Sequence, residues 1–169
     1  MIHVVIDTRE KRPWAFPPHL VRAEMGTLRT GDYALKGDMQ FAIERKSLDD
    51  FLGTISSGWE RFLREIGRME GSGFCAKVII VEGNFEQVCF TEVEDTLIHP
   101  DHHHPQITPQ FIAKRIADLT FLNVSVLFCG NSQYAAGMAL AILRARHYEI
   151  IGQTISQGRA RSIPSSAVR

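Results

Sequence analysis

The chain has 169 residues, of which 44% are hydrophobic, and its 19 basic and 19 acidic side chains give a formal net charge of zero. This length and composition are those of one globular domain, so wholesale disorder is excluded. No apolar run reaches membrane-spanning length, no signal-peptide pattern is present, and three distant cysteines exclude a disulfide framework. We therefore predict an intracellular protein without membrane contact.

Short apolar strands alternate with helices along the chain. The predicted elements in chain order are strands over 2–6 and 22–28, a hairpin over 32–46, a helix from 48, a helix over 60–69, a strand over 77–83, a helix opened by Thr108-Pro109, a strand over 124–128 and a helix from 131 or 132. This order predicts an α/β sandwich with a mixed sheet. After Glu149 no acidic residue follows, so we expect a domain over 1–149 and a flexible basic tail over 150–169.

The hairpin over 32–46 brings two carboxylates and a lysine to one end of the sheet. Its bend is Lys36-Gly37-Asp38, so Asp32 at the start of the first strand folds back beside Glu44 near the end of the second. Side chains two apart on a strand share a face, so Glu44 and Lys46 point together while Arg45 points away. Two oxygen ligands and a cation at one point suit metal-dependent phosphodiester cleavage.

Magnesium takes oxygen ligands and keeps several waters, so two to four carboxylates and a substrate phosphate make a suitable site. Asp32 and Glu44 are the first-choice ligands, and Asp7 and Glu10 are candidates for further ligands or for holding metal-bound waters. Lys46 is expected to stabilise charge on the phosphorane or to orient the attacking water. Each motif alone is ordinary on a protein surface, and the ordered combination is what indicates a site.

Three segments carry a family resemblance: Ile6-Asp7-Thr8-Arg9-Glu10, Gly31-Asp32-Tyr33, and Ile43-Glu44-Arg45-Lys46-Ser47 with Asp50-Phe51. Their order, and the Glu-Arg-Lys-x-x-x-Asp signature over 44–50, resemble the nuclease domain of the XPF family. That family comprises structure-specific endonucleases of eukaryotes and archaea. The similarity continues through residues 55–58, 61–62 and 78–83 and covers most of the chain from Val4 to about Glu149.

The resemblance implies a restriction-endonuclease-like α/β/α sandwich, dependence on Mg²⁺ or Mn²⁺, and cleavage of branched, flapped or forked DNA near single-strand/double-strand junctions. By position it implies an active-site cluster of Asp7, Arg9, Glu10, Asp32, Glu44, Arg45, Lys46 and Asp50. Arg9 and Arg45 are expected to contact substrate phosphate or to hold the acids in place. Arg61 and Trp14 are further candidates for DNA contact.

The resemblance also has consequences for partners. Nuclease domains of the family pair through their helical side, which implies a homodimer or heterodimer through the last two helices. Family members usually carry a helix-hairpin-helix module as well, and these 169 residues match only the nuclease part, so the route to substrate selection stays open. A small version would fit a bacterial or phage setting, in the cytoplasm or nucleoid.

Several features have two interpretations. Trp14 and Trp59 either stack on an unpaired base or anchor loops to the core. The run His99-Pro100-Asp101-His102-His103-His104-Pro105 either binds a transition metal or forms a surface loop, and His99 or His102 is a candidate for reaching the active site. The basic C-terminal third either supplies phosphate contacts or forms solvated helix faces. For the whole chain, the alternatives are a catalytically silent DNA-binding or scaffolding subunit and a sequence-specific restriction-type nuclease.

Overall fold

The computed structural model describes residues 1–74, 76–89, 91–93, 96–98 and 107–161. Within these ranges the strands are β1 Ile2–Asp7, β2 Val21–Gly26, β3 Tyr33–Leu35, β4 Phe41–Ser47, β5 Ala76–Glu82, β6 Thr91–Val93, β7 Thr96–Ile98 and β8 Val124–Phe128. The helices are α1 Leu48–Ile55, α2 Trp59–Glu70, α3 Phe85–Cys89, α4 Pro109–Thr120 and α5 Ser132–Arg161.

Six strands form the main sheet in the order β2-β1-β3-β4-β5-β8, and β6 pairs with β7 in a separate ribbon. The sheet is mixed: β1 with β3 and β3 with β4 are antiparallel, whereas β1 with β2, β4 with β5 and β5 with β8 are parallel. Parallel neighbours need a long crossover, which the proline-rich residues 8–20 supply between β1 and β2 without a helix. The predicted mixed α/β sheet is confirmed.

Helices cover both faces of this sheet, so β5 is buried on both sides. Val78 and Ile80 belong to the apolar cluster that α5 covers through residues such as Leu143. Ile79 and Val81 belong to the opposite cluster, which contains the buried side chains of α1, α2 and α4. A strand buried on both faces carries a continuous apolar run, and this is the signal that predicts β5 from the sequence.

Local signals also place the hairpin and two helix starts. Gly37 adopts φ of +85° in the bend between β3 and β4, a conformation that favours glycine. Ser47 caps α1 through a hydrogen bond from the Asp50 backbone N–H to its Oγ at 3.1 Å. Thr108 caps α4 in the same way, with Pro109 at the first helical position.

The structure departs from the sequence prediction at the C-terminal helix and in three short elements. Helix α5 continues past Glu149 to Arg161, because Gly and Ser lower helix propensity without stopping a helix already packed along the sheet. The division into a domain and a tail stays a prediction. The elements α3, β6 and β7 have three to five residues each, too few to show a hydrophobic period.

The histidine run falls in residues 99–106, which lie outside the described residues. Both interpretations of this run therefore stay predictions. None of the helices in the described ranges combines the length and the apolar character needed to cross a bilayer. The intracellular location stays a prediction.

Candidate active site

The hairpin places Asp32 against β4 through its backbone and through its side chain. The Asp32 N–H donates to the Ile43 carbonyl at 2.8 Å, and the Arg45 N–H donates to Asp32 Oδ2 at 2.8 Å. Gly31 precedes it with φ of +74°, and a Cβ there would lie 2.7 Å from the Ala42 Cβ. Glycine is therefore required at 31 so that the strands approach closely enough to bring Asp32 to β4.

Glu44 is held by two lysines, one of which the sequence analysis missed. Glu44 Oε1 lies 3.2 Å from Lys46 Nζ, which confirms that these side chains share a face of β4. Glu44 Oε2 lies 3.2 Å from Lys77 Nζ, which also contacts Glu65 Oε1 at 2.8 Å. Lys77 is 1% exposed, and its register opposite Ala42 places it beside Glu44. The sequence does contain one signal for this role: Lys77 is the one basic residue in the apolar strand β5, and a lysine buried there needs acidic partners.

The electrostatic state of Asp32 reflects its position between other acids. Burial, together with the negative charges of Glu44 and Glu10, raises the pKa of Asp32 to about 6, although the hydrogen bond from the Arg45 N–H acts in the lowering direction. The ionised form is therefore disfavoured until a positive charge arrives. Such an environment suits a divalent cation, which would neutralise the converging charges.

Asp7 is buried and fully used as a hydrogen-bond acceptor. Its Oδ1 accepts from the Arg9 N–H at 2.9 Å and from Arg9 Nε at 2.6 Å. Its Oδ2 accepts from the Leu28 N–H at 2.7 Å and from Arg9 Nη2 at 3.2 Å. The Arg9 side chain thereby lowers the pKa of Asp7 to about 2. In this arrangement Asp7 orients Arg9 and the segment at Leu28, while the Arg9 side chain remains 69% exposed.

Arg45 is turned away from Glu44 and clamps two other acids. Its Nε and Nη2 donate to the two Glu82 oxygens at 2.8 and 3.0 Å, and its Nη1 lies 3.4 Å from Glu10 Oε1. The side chain is 16% exposed. Of the two roles expected for Arg45, this geometry favours holding acids in place over contact with phosphate. Glu82 has no counterpart among the residues predicted from the sequence.

Trp14 is a core residue, which corrects its assignment as a surface for base stacking. It is 4% exposed, and its ring stacks on the buried Tyr33 with centroids 4.5 Å apart. Its Nε1 donates to Glu82 Oε1 at 2.7 Å. Trp59 is likewise 7% exposed, with the Arg115 guanidinium 4.1 Å from its ring centroid. Both indoles anchor the surrounding structure, because burying their large apolar area stabilises the fold.

Asp50 and Arg61 lie in a separate groove beyond Lys46. Asp50 is exposed and accepts from the Ser47 hydroxyl at 2.8 Å, as part of the cap of α1. It lines an open groove of about 490 Å³ together with Lys46 and Arg61. Lys46 therefore stands between this groove and the carboxylates Asp32 and Glu44.

A larger groove, of about 710 Å³, opens directly on Asp32 and Glu44. Its charged walls are formed by Arg9, Arg29, Asp32, Glu44, Glu65 and Arg68. Of these, Arg29, Glu65 and Arg68 were not selected from the sequence, because nothing in their local pattern distinguishes them from solvated surface residues. A groove lined by both arginines and carboxylates is suited to an anionic ligand. The arginines would attract the anion, and a metal ion on the carboxylates would contact it.

Asp32 and Glu44 fit a magnesium-type ion as its protein ligands. In the ranges that the structure describes, no three His, Cys, Asp or Glu side chains are grouped as a metal site would group them. Mg²⁺ is commonly bound by one or two carboxylates together with waters and substrate phosphates, and Mn²⁺ accepts the same oxygen ligands. Asp7 and Glu10 are engaged with arginines and Glu44 with two lysines, so the metal ligation of all four acids, Asp32 included, stays a prediction.

The mixed sheet and its covering helices define the restriction-endonuclease-like α/β fold of the XPF nuclease domain. The chain belongs to the ERCC4 domain family, whose model matches residues 6–142. The family resemblance drawn from residues 6–10, 31–33 and 43–51 is thereby confirmed. No curated protein matches the chain.

Two solved structures show the similarity in three dimensions. XPF from Aeropyrum pernix superposes with a TM-score of 0.60 at 20% identity, over 85% of this chain and 61% of that one. XPF from Aeropyrum pernix in complex with DNA gives a TM-score of 0.55 at 22% identity, over 86% of this chain and 66% of that one. At these identities the likeness establishes the fold, and the chain spans less than two thirds of each relative.

Proposed function

We propose that this chain is a divalent-metal-dependent DNA endonuclease. It hydrolyses phosphodiester bonds in branched, flapped or forked DNA near single-strand/double-strand junctions. The observation that carries the proposal is the convergence of Asp32, Glu44 and Lys46 at one end of an ERCC4-type sheet, beside an open groove. The DNA complex of the Aeropyrum pernix relative adds support for a nucleic-acid substrate.

Asp32 and Glu44 would hold Mg²⁺ or Mn²⁺, with waters and a phosphate oxygen as the remaining ligands. When bound, such an ion polarises the scissile phosphate and lowers the pKa of an attacking water. Lys46 Nζ, which donates to Glu44 Oε1, lies where it can donate to a phosphate oxygen and stabilise developing charge. Arg9, fixed by Asp7 and exposed, would contact a neighbouring phosphate.

The test is a metal-dependent nicking assay on flap, fork and splayed-arm DNA. Purified protein should cut in Mg²⁺ or Mn²⁺, and Asp32→Ala and Glu44→Ala should lose cutting while keeping the wild-type circular dichroism spectrum. Full activity in both variants would overturn the assignment. Folded wild-type protein that binds no Mn²⁺ by calorimetry and cuts nothing would indicate a silent DNA-binding subunit.

We also propose that the domain pairs with a second ERCC4-type domain through α4 and α5. The support is apolar exposure on both helices: Phe121 is 88% exposed after α4 on one face of the sheet, and Tyr134, Met138, Tyr148 and Ile151 are 42–67% exposed along α5 on the other face. Monomeric proteins rarely expose several large apolar side chains along one helix, as α5 does. Light scattering should report a homodimer that Tyr134→Lys dissociates. A wild-type monomer at tens of micromolar would contradict self-pairing.

A further inference from the structure

We propose that the 710 Å³ groove beside Asp32 and Glu44 binds unpaired nucleotides of DNA, with Arg29 and Arg68 on phosphates and Phe74 and Met39 against a base. This inference rests on the proposed function in one respect: it assumes that Asp32 and Glu44 contact DNA. It adds a binding site for the single-stranded part of the substrate, and this site determines where the DNA strand lies relative to the two acids.

The groove leads away from the acids along the β4–β5 pair. Glu44 lies opposite Ile79, whereas Phe41 lies opposite Ala76, two residues after Phe74. Three strand residues cover about 10 Å, so the start of β5, which follows Phe74, lies about that far along the sheet from the position opposite Glu44. A ligand that reaches both ends must therefore be extended, as a short stretch of single strand is.

The charge along the groove is available to phosphate. The carboxylates of Glu44 and Glu65 share the buried ammonium of Lys77, so they are already compensated from within. Arg29 and Arg68 are exposed, and in the described part of the chain neither guanidinium has an ion-pair partner. Exposed, uncommitted arginines in a groove are suited to backbone phosphates.

The far end of the groove is apolar, which distinguishes an unpaired strand from a duplex. Met39 is 60% exposed and Phe74 is half-buried, and both line the same groove as the arginines. A base inside a duplex has both faces stacked on neighbours and cannot stack on Phe74. An unpaired base can, and stacking of this kind contributes about 1–3 kcal/mol per base.

The test measures affinity by fluorescence anisotropy without divalent metal, on two splayed-arm DNAs of the same sequence. One carries normal nucleotides in the first three unpaired positions, and the other carries abasic sugars there. Wild-type protein should bind the normal arm about five-fold or more tighter. Phe74→Ala should remove this difference, whereas Phe85→Ala, a matched substitution of a partly exposed phenylalanine on α3 outside the groove, should keep it.

The arginines are tested by salt dependence on the same DNAs. The double variant Arg29→Ala/Arg68→Ala should weaken both complexes alike and reduce the slope of log affinity against log salt by about 1–2. Arg22→Ala, at the opposite end of β2 from Gly26, should leave the slope unchanged. Phe74→Leu keeps apolar packing and should still lose most of the base discrimination, which covers the case in which Phe74→Ala fails to fold.

Two outcomes overturn the inference: equal wild-type affinity for normal and abasic arms, or discrimination that persists in folded Phe74→Leu. Cleavage of the same DNAs in Mg²⁺ and Mn²⁺ separates this result from the proposed function. Cutting without base discrimination removes the single-strand site and leaves the nuclease. Discrimination without any cutting keeps the site and removes the nuclease.

Discussion

Lys77 Nζ lies 3.2 Å from Glu44 Oε2 and joins that carboxylate to Glu65 from a position that is 1% exposed. A buried ammonium is retained only when its donors are matched, and here Glu44, Glu65 and Thr30 receive them. Because Lys77 takes Oε2 of Glu44 while Lys46 takes Oε1, the two lysines together fix the orientation of this carboxylate. Lys77 is therefore a positioning residue for the acid pair.

Replacing Lys77 by Met should weaken Mn²⁺ binding by about 10–100-fold, because residues that orient metal ligands contribute on this scale. Calorimetric titration of Mn²⁺ measures this directly, without turnover. Lys36→Met, which removes a surface ion pair with Glu24 at 2.9 Å, is the control and should bind Mn²⁺ as wild type does. Unchanged Mn²⁺ affinity in a folded Lys77→Met protein would assign Lys77 to stability alone.

Asp32→Asn should abolish cleavage and yet stabilise the fold at alkaline pH. The folded-state pKa of about 6 is raised above the ordinary 3.8, so ionised Asp32 opposes folding once the pH exceeds 6. The penalty is about 2–3 kcal/mol when fully developed, and it disappears below pH 4. Urea unfolding at pH 8 and pH 4 checks the sign. A variant less stable than wild type at pH 8 would refute the raised pKa, and Asp49→Asn, exposed on α1, is the control.

Asp7→Asn should have the opposite effect on stability. The Asp7 pKa of about 2 lies below the ordinary 3.8, so the carboxylate stabilises the fold above pH 4 and this contribution is lost as the pH falls toward 2. At pH 7 the variant should lose about 2 kcal/mol, or roughly 4–8 °C in Tm. The gap to wild type should narrow at pH 3. Asp118→Asn, a surface helix pair with Lys114, should change little at either pH.

Trp14→Phe should lower stability without affecting DNA binding. The variant keeps the stack on Tyr33 but loses the donor to Glu82, which contributes about 1.5–3 kcal/mol when the acceptor is charged. In anisotropy measurements its DNA affinity should match wild type. A large loss of DNA affinity in stable Trp14→Phe protein would restore the stacking role.

Arg61→Ala, on the exposed face of α2, should instead reduce the slope of log DNA affinity against log salt by about 1.

The sequence predicts the hairpin and its acid pair because their signals are local. The Gly37 bend sets the pairing of β3 with β4, and the period of two along β4 separates Glu44 and Lys46 from Arg45. The continuous apolar run of β5 and the caps at Ser47 and Thr108 are equally local. These elements include three of the six strands of the main sheet and position Asp32 beside β4.

Contacts between distant segments could not be foreseen in the same way. Glu82 is 37 residues from Arg45 and 68 from Trp14 in the sequence. No local sequence pattern indicates that Glu82 contacts both of these residues. Lys77 becomes informative only when the register of β5 against β4 places it beside Glu44. Trp14 lies in a proline-rich segment without a period, so its burial depends on Tyr33 across the fold.

The most direct test of the central claim is cleavage of branched and linear DNA of identical sequence by wild type and Glu44→Gln, in Mg²⁺, in Mn²⁺ and in chelator. The wild-type protein should cut the branched DNA near its junction only when metal is present, and Glu44→Gln should cut neither DNA. Equal cutting of the linear DNA at fixed sites would indicate a sequence-specific enzyme. Wild-type rates in Glu44→Gln would contradict the assignment of the active site.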